Sequence, residues 1–188
     1  MSKAADLARY AGGIGSRTGA VLQTVSHIET DVTTFSNSGT ARTDVLLLAS
    51  NAADSTSHVS ASITPSATTS KILVQVCVFY EGSTAPHEYL WDVYRDSTKL
   101  GAARVSNRAG GIAASSMGHV TDDTASTPDT RYYQFVDSPS STSAITYAAA
   151  YNTSSTSGSV HLNKSVDDTD AITHERGVSS IILQEIAG

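Results

Sequence analysis

The segment from Lys71 to Glu81 does more than any other to limit what this chain can fold into. Ile72, Val74, Val76, Val78 and Tyr80 fall on one face of a period-two strand, and Leu73, Gln75, Cys77, Phe79 and Glu81 on the other. The first face is uninterruptedly apolar and has to be buried. The second mixes apolar with polar side chains, as a strand does when only one of its faces meets a core. Directly upstream, Ile63-Thr64-Pro65-Ser66-Ala67-Thr68-Thr69-Ser70 supplies the turn that launches it. The pair of features predicts an all-β scaffold.

Composition agrees with that reading. Ser and Thr make up more than a quarter of the 188 residues, and only 16% are charged. Charged helix formers are scarce, while Thr, Val and Tyr suit a pleated surface. The length suffices for one domain with a real core plus a short appendage. A net charge of −6 with scattered Lys and Arg excludes a nucleic-acid surface, which needs clustered cations to neutralise phosphates. No apolar run approaches the roughly 20 residues of a membrane-spanning helix. The segment Met1 to Leu7 has no hydrophobic signal core, which predicts a chain made in a cytoplasm and soluble there.

Two parts are expected. Residues 1–19 form an N-terminal arm, with a helix over 2–11 capped by Ser2 and ended by Gly12-Gly13, then a glycine-rich linker. So short a helix needs something to pack on. Residues 20–188 form the β domain, with strands predicted over 20–31, 43–49, 58–64, 71–81, 89–96, 132–137, 145–152, 159–164 and 178–187, and a short one within 111–120. Turn clusters separate them, as in Asp96-Ser97-Thr98-Lys99 and Ser138-Pro139-Ser140-Ser141. Short strands at this spacing predict an antiparallel β-sandwich or jelly roll. The closing strand, Ile181 to Ile186, is apolar on both faces and is expected in a central position.

Chemistry-bearing residues are thinly spread. Cys77 is the only cysteine, so there is no disulfide framework and no thiolate metal cluster; a small buried hydrophobe is its expected role. His27, His58, His87, His119, His161 and His174 show no ligand spacing, although His27 and His161 lie in predicted strands and could meet across a sheet. Asp167-Asp168-Thr169-Asp170 with His174-Glu175 is the densest acidic loop, and a solvated turn is its expected state, with a loose divalent site as the alternative. Gly-x-Ser-x-Gly, His-Glu-x-x-His and the phosphate-binding loop are all absent from the sequence. Asp122-Asp123 lies in a polar loop, where both carboxylates ionise normally. No catalytic, cofactor-binding or metal-ligating residue is therefore assigned. Tyr80, Tyr89, Trp91, Tyr94, Tyr132, Tyr133, Phe135, Tyr147 and Tyr151 alternate along strands and are expected mainly in the core, with a carbohydrate-stacking platform as the alternative.

Taken in order, several of these segments carry a resemblance. Ile63-Thr64-Pro65-Ser66 leading to Ser70-Lys71-Ile72-Leu73-Val74, then Tyr94-Arg95-Asp96-Ser97-Thr98-Lys99-Leu100-Gly101, is similar to a recurrent module in tailed bacteriophages of aquatic bacteria. The module continues with segments like Asp137-Ser138-Pro139 through Tyr147, Val160 through Ser165, and Arg176-Gly177-Val178 through Ile186. The resemblance covers roughly residues 20–187. It implies a non-enzymatic β-sandwich of the virion, tail-fibre-like or receptor-binding, assembled as a homotrimer in the host bacterial cytoplasm. Partners implied are a second and third copy, other tail or capsid proteins, and a host surface glycan, without nucleic acid or membrane insertion. The arm is then expected to anchor the protein to the particle through Leu7, Tyr10 and Ile14. Many such proteins are longer; this chain has no shaft segment, which admits a capsid decoration (cement) protein of the same fold. The contrasting class, an enzyme acting on host glycans, lacks a carboxylate pair placed for acid/base work.

Overall fold

The computed structural model describes residues 18–37, 41–48, 58–83, 88–116 and 126–188. Among these residues the chain is all-β, with every paired strand antiparallel. The strands are β1 (Val21–Glu29), β2 (Thr33–Ser36), β3 (Val45–Leu46), β4 (Ser60–Ile63), β5 (Lys71–Ser83), β6 (Glu88–Arg95), β7 (Thr98–Lys99), β8 (Ala113–Ser116), β9 (Asp129–Asp137), β10 (Ile145–Thr153), β11 (Ser159–Leu162) and β12 (Ser179–Ile186). They form a two-sheet sandwich. The first sheet runs β1-β12-β5-β11-β2 with β9 also on β5, and the second runs β3-β10-β6-β7 with β4 on β10 and β8 on β6.

β5 organises the first sheet. One of its edges takes β12 from Lys71 to Cys77 and β11 from Tyr80 to Ser83, and β9 also pairs with it from Ile72 to Tyr80. Its face of Ile72, Val74, Val76, Val78 and Tyr80 is fully buried, as the period-two pattern requires. The opposite face is half-buried. The closing strand β12 lies centrally, between β1 and β5, because it is apolar on both sides.

The layer between the sheets is aromatic with polar tips. Tyr80 packs edge-on to Trp91 at 4.6 Å and to Tyr89 at 5.8 Å, and Tyr133 and Tyr151 lie beside Trp91. Each buried tip finds a partner. Trp91 Nε1 donates to Ser115 Oγ at 2.8 Å, and the Tyr80 hydroxyl pairs with the same oxygen at 2.7 Å. Tyr133 donates to the Asp92 carbonyl, Tyr151 to the Phe35 carbonyl and Tyr89 to the Ser159 carbonyl. Burial pushes the Tyr80 and Tyr89 phenols up to about 12, so neither titrates near neutrality.

Several boundaries differ from the sequence expectation. β9 starts at Asp129 rather than 132, because the backbone from Asp129 to Arg131 pairs with Val78 to Tyr80 of the long strand β5, and this pairing overrides the low strand propensity of the charged residues. The strand expected over 43–49 pairs only at Val45 and Leu46, and Thr33–Ser36, where no strand is expected, pairs with β11. Cys77 is not buried: it belongs to the half-exposed face of β5, whose period-two partners are Leu73, Gln75 and Phe79. The core assignment of the aromatics holds for Tyr80, Tyr89, Trp91, Tyr133, Tyr147 and Tyr151, but Tyr132 is exposed and Tyr94 and Phe135 are half-buried. The expected helix over 2–11 and the linker up to Arg17 lie outside the described residues.

Ser115 is the partner of two buried polar tips at once, so Ser115→Ala should lower the unfolding free energy by about 2 kcal/mol. Urea unfolding followed by Trp91 fluorescence measures this; an unchanged midpoint would show that the Trp91 and Tyr80 tips have another partner.

Candidate functional site: buried carboxylates and the loop end of the sandwich

The segments that carry the resemblance hold most of the buried carboxylates, so their geometry comes first. Glu185 sits on the inner face of β12 and is fully buried. Its Oε1 accepts from Ser66 N at 2.7 Å, Ser66 Oγ at 2.6 Å and Ser70 Oγ at 2.7 Å, and its Oε2 from Gln23 Nε2 at 2.6 Å. Thus the Pro65 turn folds around a carboxylate more than a hundred residues away in sequence. Burial alone would raise this group's pKa, but the donors from Ser66, Ser70 and Gln23 outweigh it and hold the carboxyl at about 2.

The segment Tyr94 to Gly101 closes a second buried centre. β6 places Asp92 and Tyr94 on the outer side of the second sheet, and β7 brings Lys99 over them. Lys99 Nζ lies 3.0 Å from Asp92 Oδ2, 2.9 Å from Asp44 Oδ2 and 3.1 Å from the Gly110 carbonyl. Asp44 also accepts from the Tyr94 hydroxyl and from Asn152 Nδ2, and Asp92 accepts from the backbone N–H groups of Val93 and Gly101. Burial lifts Asp92 above the ordinary carboxylate range against the lowering by Lys99 and those N–H donors. Gly101 must be glycine here, since a Cβ would stand 2.5 Å from the Asp92 carboxylate. Gly177, in the last resembling segment, is fixed in the same way by the ring of Phe79 at 2.4 Å.

Three more carboxylates are used alike. Asp137 takes Arg95 on both oxygens, at 3.1 and 2.9 Å, and the Tyr147 hydroxyl at 2.7 Å, which ties β9 in one sheet to β6 and β10 in the other. Glu81 accepts from Thr127 and from Val166 N, and so pins two loops at the far end of β5. Glu29 lies between two imidazoles, 3.4 Å from His58 Nδ1 and 3.7 Å from His27 Nε2, and also caps Asp31 N.

The sequence-level candidates are placed differently from one another. His27 and His161 do not meet: His27 faces Ile181 in the pairing of β1 with β12, whereas His161 lies between Thr34 and Glu81. His27 meets His58 instead, across Glu29, a contact no sequence spacing signals. In the acidic loop Asp168 is taken by Arg176 at 2.6 Å and by Lys164 at 3.7 Å, while Asp167 accepts from Thr169 N. That is a turn held by its own cations. Among the described residues no three His, Cys, Asp or Glu side chains gather as a metal-ion site. Leu7, Tyr10 and Ile14, with His87, His119 and Asp122-Asp123, lie outside the described residues.

One depression of ≈ 750 Å³ opens at the loop end, lined by Arg42, Glu88, Leu90, Asn107, Arg108 and the backbone side of Tyr89. Arg42 is bound to Glu88 at 2.7 Å. Arg108 stands at the foot of a tight hairpin whose Val105 and Arg108 exchange both backbone hydrogen bonds at 3.0 Å. The Tyr89 ring is buried, so the depression offers hydrogen bonds and cations but no aromatic stacking surface.

Glu185→Gln should cost about 3 kcal/mol at neutral pH, the worth of a carboxyl held at about 2 instead of its ordinary 4.5. Because the folded-state pKa is depressed, that stability is complete above 4.5 and is lost as pH falls toward 2. Urea unfolding between pH 6 and pH 2 should therefore show an acid limb in the native chain that is weaker in the variant. Equal limbs would remove Glu185 from the account.

No family model matches the sequence, and no curated protein matches it. Among solved structures, the chain is similar to one in the structure of infectious bursal disease virus Gt strain, with 12% identity, a TM-score of 0.39, and coverage of 89% of this chain and 39% of that one. It is also similar to the VP2 subviral particle of the same virus, at 16% identity and a TM-score of 0.34, covering 88% of this chain and 38% of that one. This chain thus spans about two-fifths of the chains it matches. The likeness is one of β-strand arrangement.

Proposed function

We propose that this chain is a non-enzymatic virion structural protein of a tailed bacteriophage, a homotrimer of the short tail-fibre or receptor-binding type. Residues 1–19 join it to the particle, with Leu7, Tyr10 and Ile14 as the contacts. The observation that best supports a structural role is how the reactive groups are spent. Glu29, Glu81, Asp92, Asp137 and Glu185 are buried, and each is tied to a turn, a loop or the opposite sheet. A working acid/base pair needs a carboxyl free to exchange its proton with a ligand; these are engaged by the fold. The resemblance of residues 63–74, 94–101, 137–147, 160–165 and 176–186 to phage modules supports the virion assignment.

In this reading the depression between Arg42, Glu88 and Arg108 meets a polar host glycan, through guanidinium and amide donors. A decoration protein of the capsid is the second reading. It is favoured by the compact two-sheet body of the described residues, which contains no elongated repeat.

Copy number per purified particle separates the two readings: hundreds of copies mean capsid decoration, and a few dozen or fewer mean a tail component. Removal of residues 1–19 should leave a soluble trimer that no longer joins the particle. Loss of the trimer itself would overturn the anchoring role of the arm. Turnover of a host polysaccharide by the purified chain would overturn the non-enzymatic reading.

A further inference from the structure

The Lys99 centre contains more than an ion pair requires. In the hairpin of β6 and β7, Tyr94 pairs with Lys99, so Asp92 lies diagonally across from Lys99 on the same face. The position opposite Asp92 is Gly101, where a Cβ would stand 2.8 Å from the Asp92 Cγ. The two oxygens of Asp92 are then treated differently. Oδ1 accepts from Val93 N and Gly101 N, each at 2.8 Å. Oδ2 is buried and has no hydrogen-bond partner, although Lys99 Nζ stands 3.0 Å from it. A buried ion pair is stable when its contact is well aligned and its other lone pairs are satisfied. Here the nitrogen touches the carboxyl group outside the hydrogen-bond line. That suits a nucleophile beside an acyl carbon, with two N–H donors on the oxygen that would carry charge and nothing holding the oxygen that would leave.

A second carboxylate completes the set. Asp44 Oδ2 lies 2.9 Å from the same Nζ, and the Tyr94 hydroxyl and Asn152 Nδ2 hold Asp44 in place at 2.7 and 2.6 Å. The two acids differ in environment. The Asp92 side chain is 0% exposed and that of Asp44 15%, and both Asp44 oxygens receive side-chain donors. Burial raises Asp92, against the lowering by Lys99 and the two N–H groups, which favours its neutral, electrophilic form. Burial also pulls the Lys99 ammonium down, but its contacts with Asp44 and Asp92 outweigh that and raise it, so a carboxylate must take its proton before it can attack.

We propose that Lys99 and Asp92 condense into an intramolecular amide bond after folding, with Asp44 as the proton carrier. The ammonium first passes a proton to Asp92 Oδ2, which leaves a neutral amine beside a neutral carboxyl. The Nζ lone pair then bonds to Cγ, and the carbonyl pair moves onto Oδ1 between the N–H groups of Val93 and Gly101. Nζ gives its next proton to Asp44 Oδ2, and Asp44 returns it to the hydroxyl at Asp92 Oδ2. The pair on Oδ1 re-forms the carbonyl, the Cγ–Oδ2 bond breaks and water leaves. An ammonium and a carboxylate have become an amide and one water; Asp44 ends as it began, and no co-reactant is consumed. Removing two charges from a buried site favours the product, because neither then has to be kept out of water. The reaction runs once within one molecule and involves no ligand. It ties β6 to β7 covalently in a chain whose single cysteine cannot form an internal disulfide.

Intact mass spectrometry of the denatured full chain reads the bond directly. After incubation at neutral pH the native chain should be one water lighter than its sequence. Trypsin should then leave residues 72–95 and 96–104 joined as one branched peptide, uncut at Lys99 and linked through Asp92. Lys99→Arg keeps the charge and should restore the full sequence mass. Asp44→Asn should slow the mass loss at least ~100-fold, the worth of a positioned proton carrier. Asp92→Asn should form the same bond with ammonia leaving in place of water, a signature that a purely structural ion pair would not give. Circular dichroism checks that each variant is folded; should the variants fail to fold, the branched peptide of the native chain carries the test. A folded native chain that keeps its full mass would overturn the proposal. So would a water deficit that persists in folded Lys99→Arg, and a branch found at Asp44 would overturn the assignment of Asp92 as the acyl group.

Discussion

A carboxylate taken out of water is stable only if hydrogen bonds or cations replace what it loses, and this fold is arranged around that requirement. Glu185 is the clearest case: four donors from two separate segments, β1 and the turn before β5, converge on one buried group of β12. The end of β12, the start of β1 and the turn before β5 are thereby fixed together. Remove the charge and the Ser66 and Ser70 donors face each other with nothing to accept them. Asp92, Asp137, Glu81 and Glu29 repeat the arrangement at other strand ends. In a chain with so many Ser and Thr residues, hydroxyl and backbone donors are plentiful, and a few acids suffice to organise them.

That arrangement explains why part of the fold was legible in the sequence and part was not. The faces of β5 follow from side-chain alternation alone, and so does the central place of β12. The hairpin at Asp96-Ser97 was legible because a turn there needs a residue that tolerates positive φ, and Asp96 adopts 50°. The partners of the buried acids were not legible. Glu185 and Ser66 are 119 residues apart, and nothing in either segment points to the other. The same holds for Glu29 with His58, which comes from the approach to β4 in the facing sheet. Short β2 was obscured because four residues give too little alternation to separate a strand from a polar turn, while β3 is the two-residue part of the strand expected over 43–49 that pairs.

The glycine positions connect the two levels. In the resembling segments Gly101 and Gly177 look like ordinary turn residues. In the structure each is a place where another group occupies the volume of a side chain, the Asp92 carboxylate in one case and the Phe79 ring in the other. A motif that reads as generic turn chemistry is thus tied to a particular buried neighbour. The resemblance therefore tracks the network that holds the strands in order, and this is consistent with a scaffold whose binding properties vary at its loops.

The contrast between the two sheets follows from where the network is spent. The Lys99 centre stands on the outside of the second sheet, so that sheet is covered by its own loops and has no face left to offer. The Glu185 centre stands inside the sandwich, at the end of the first sheet, and among the described residues no loop covers the outer face of β1, β12, β5 and β9. Natural sheets usually defend such a face or its edges with lysine or inward-pointing charge. Here the edge strands carry Ile28, Tyr132 and Val136 instead, and the charged residues of β9, Asp129, Arg131 and Asp137, alternate onto its other face.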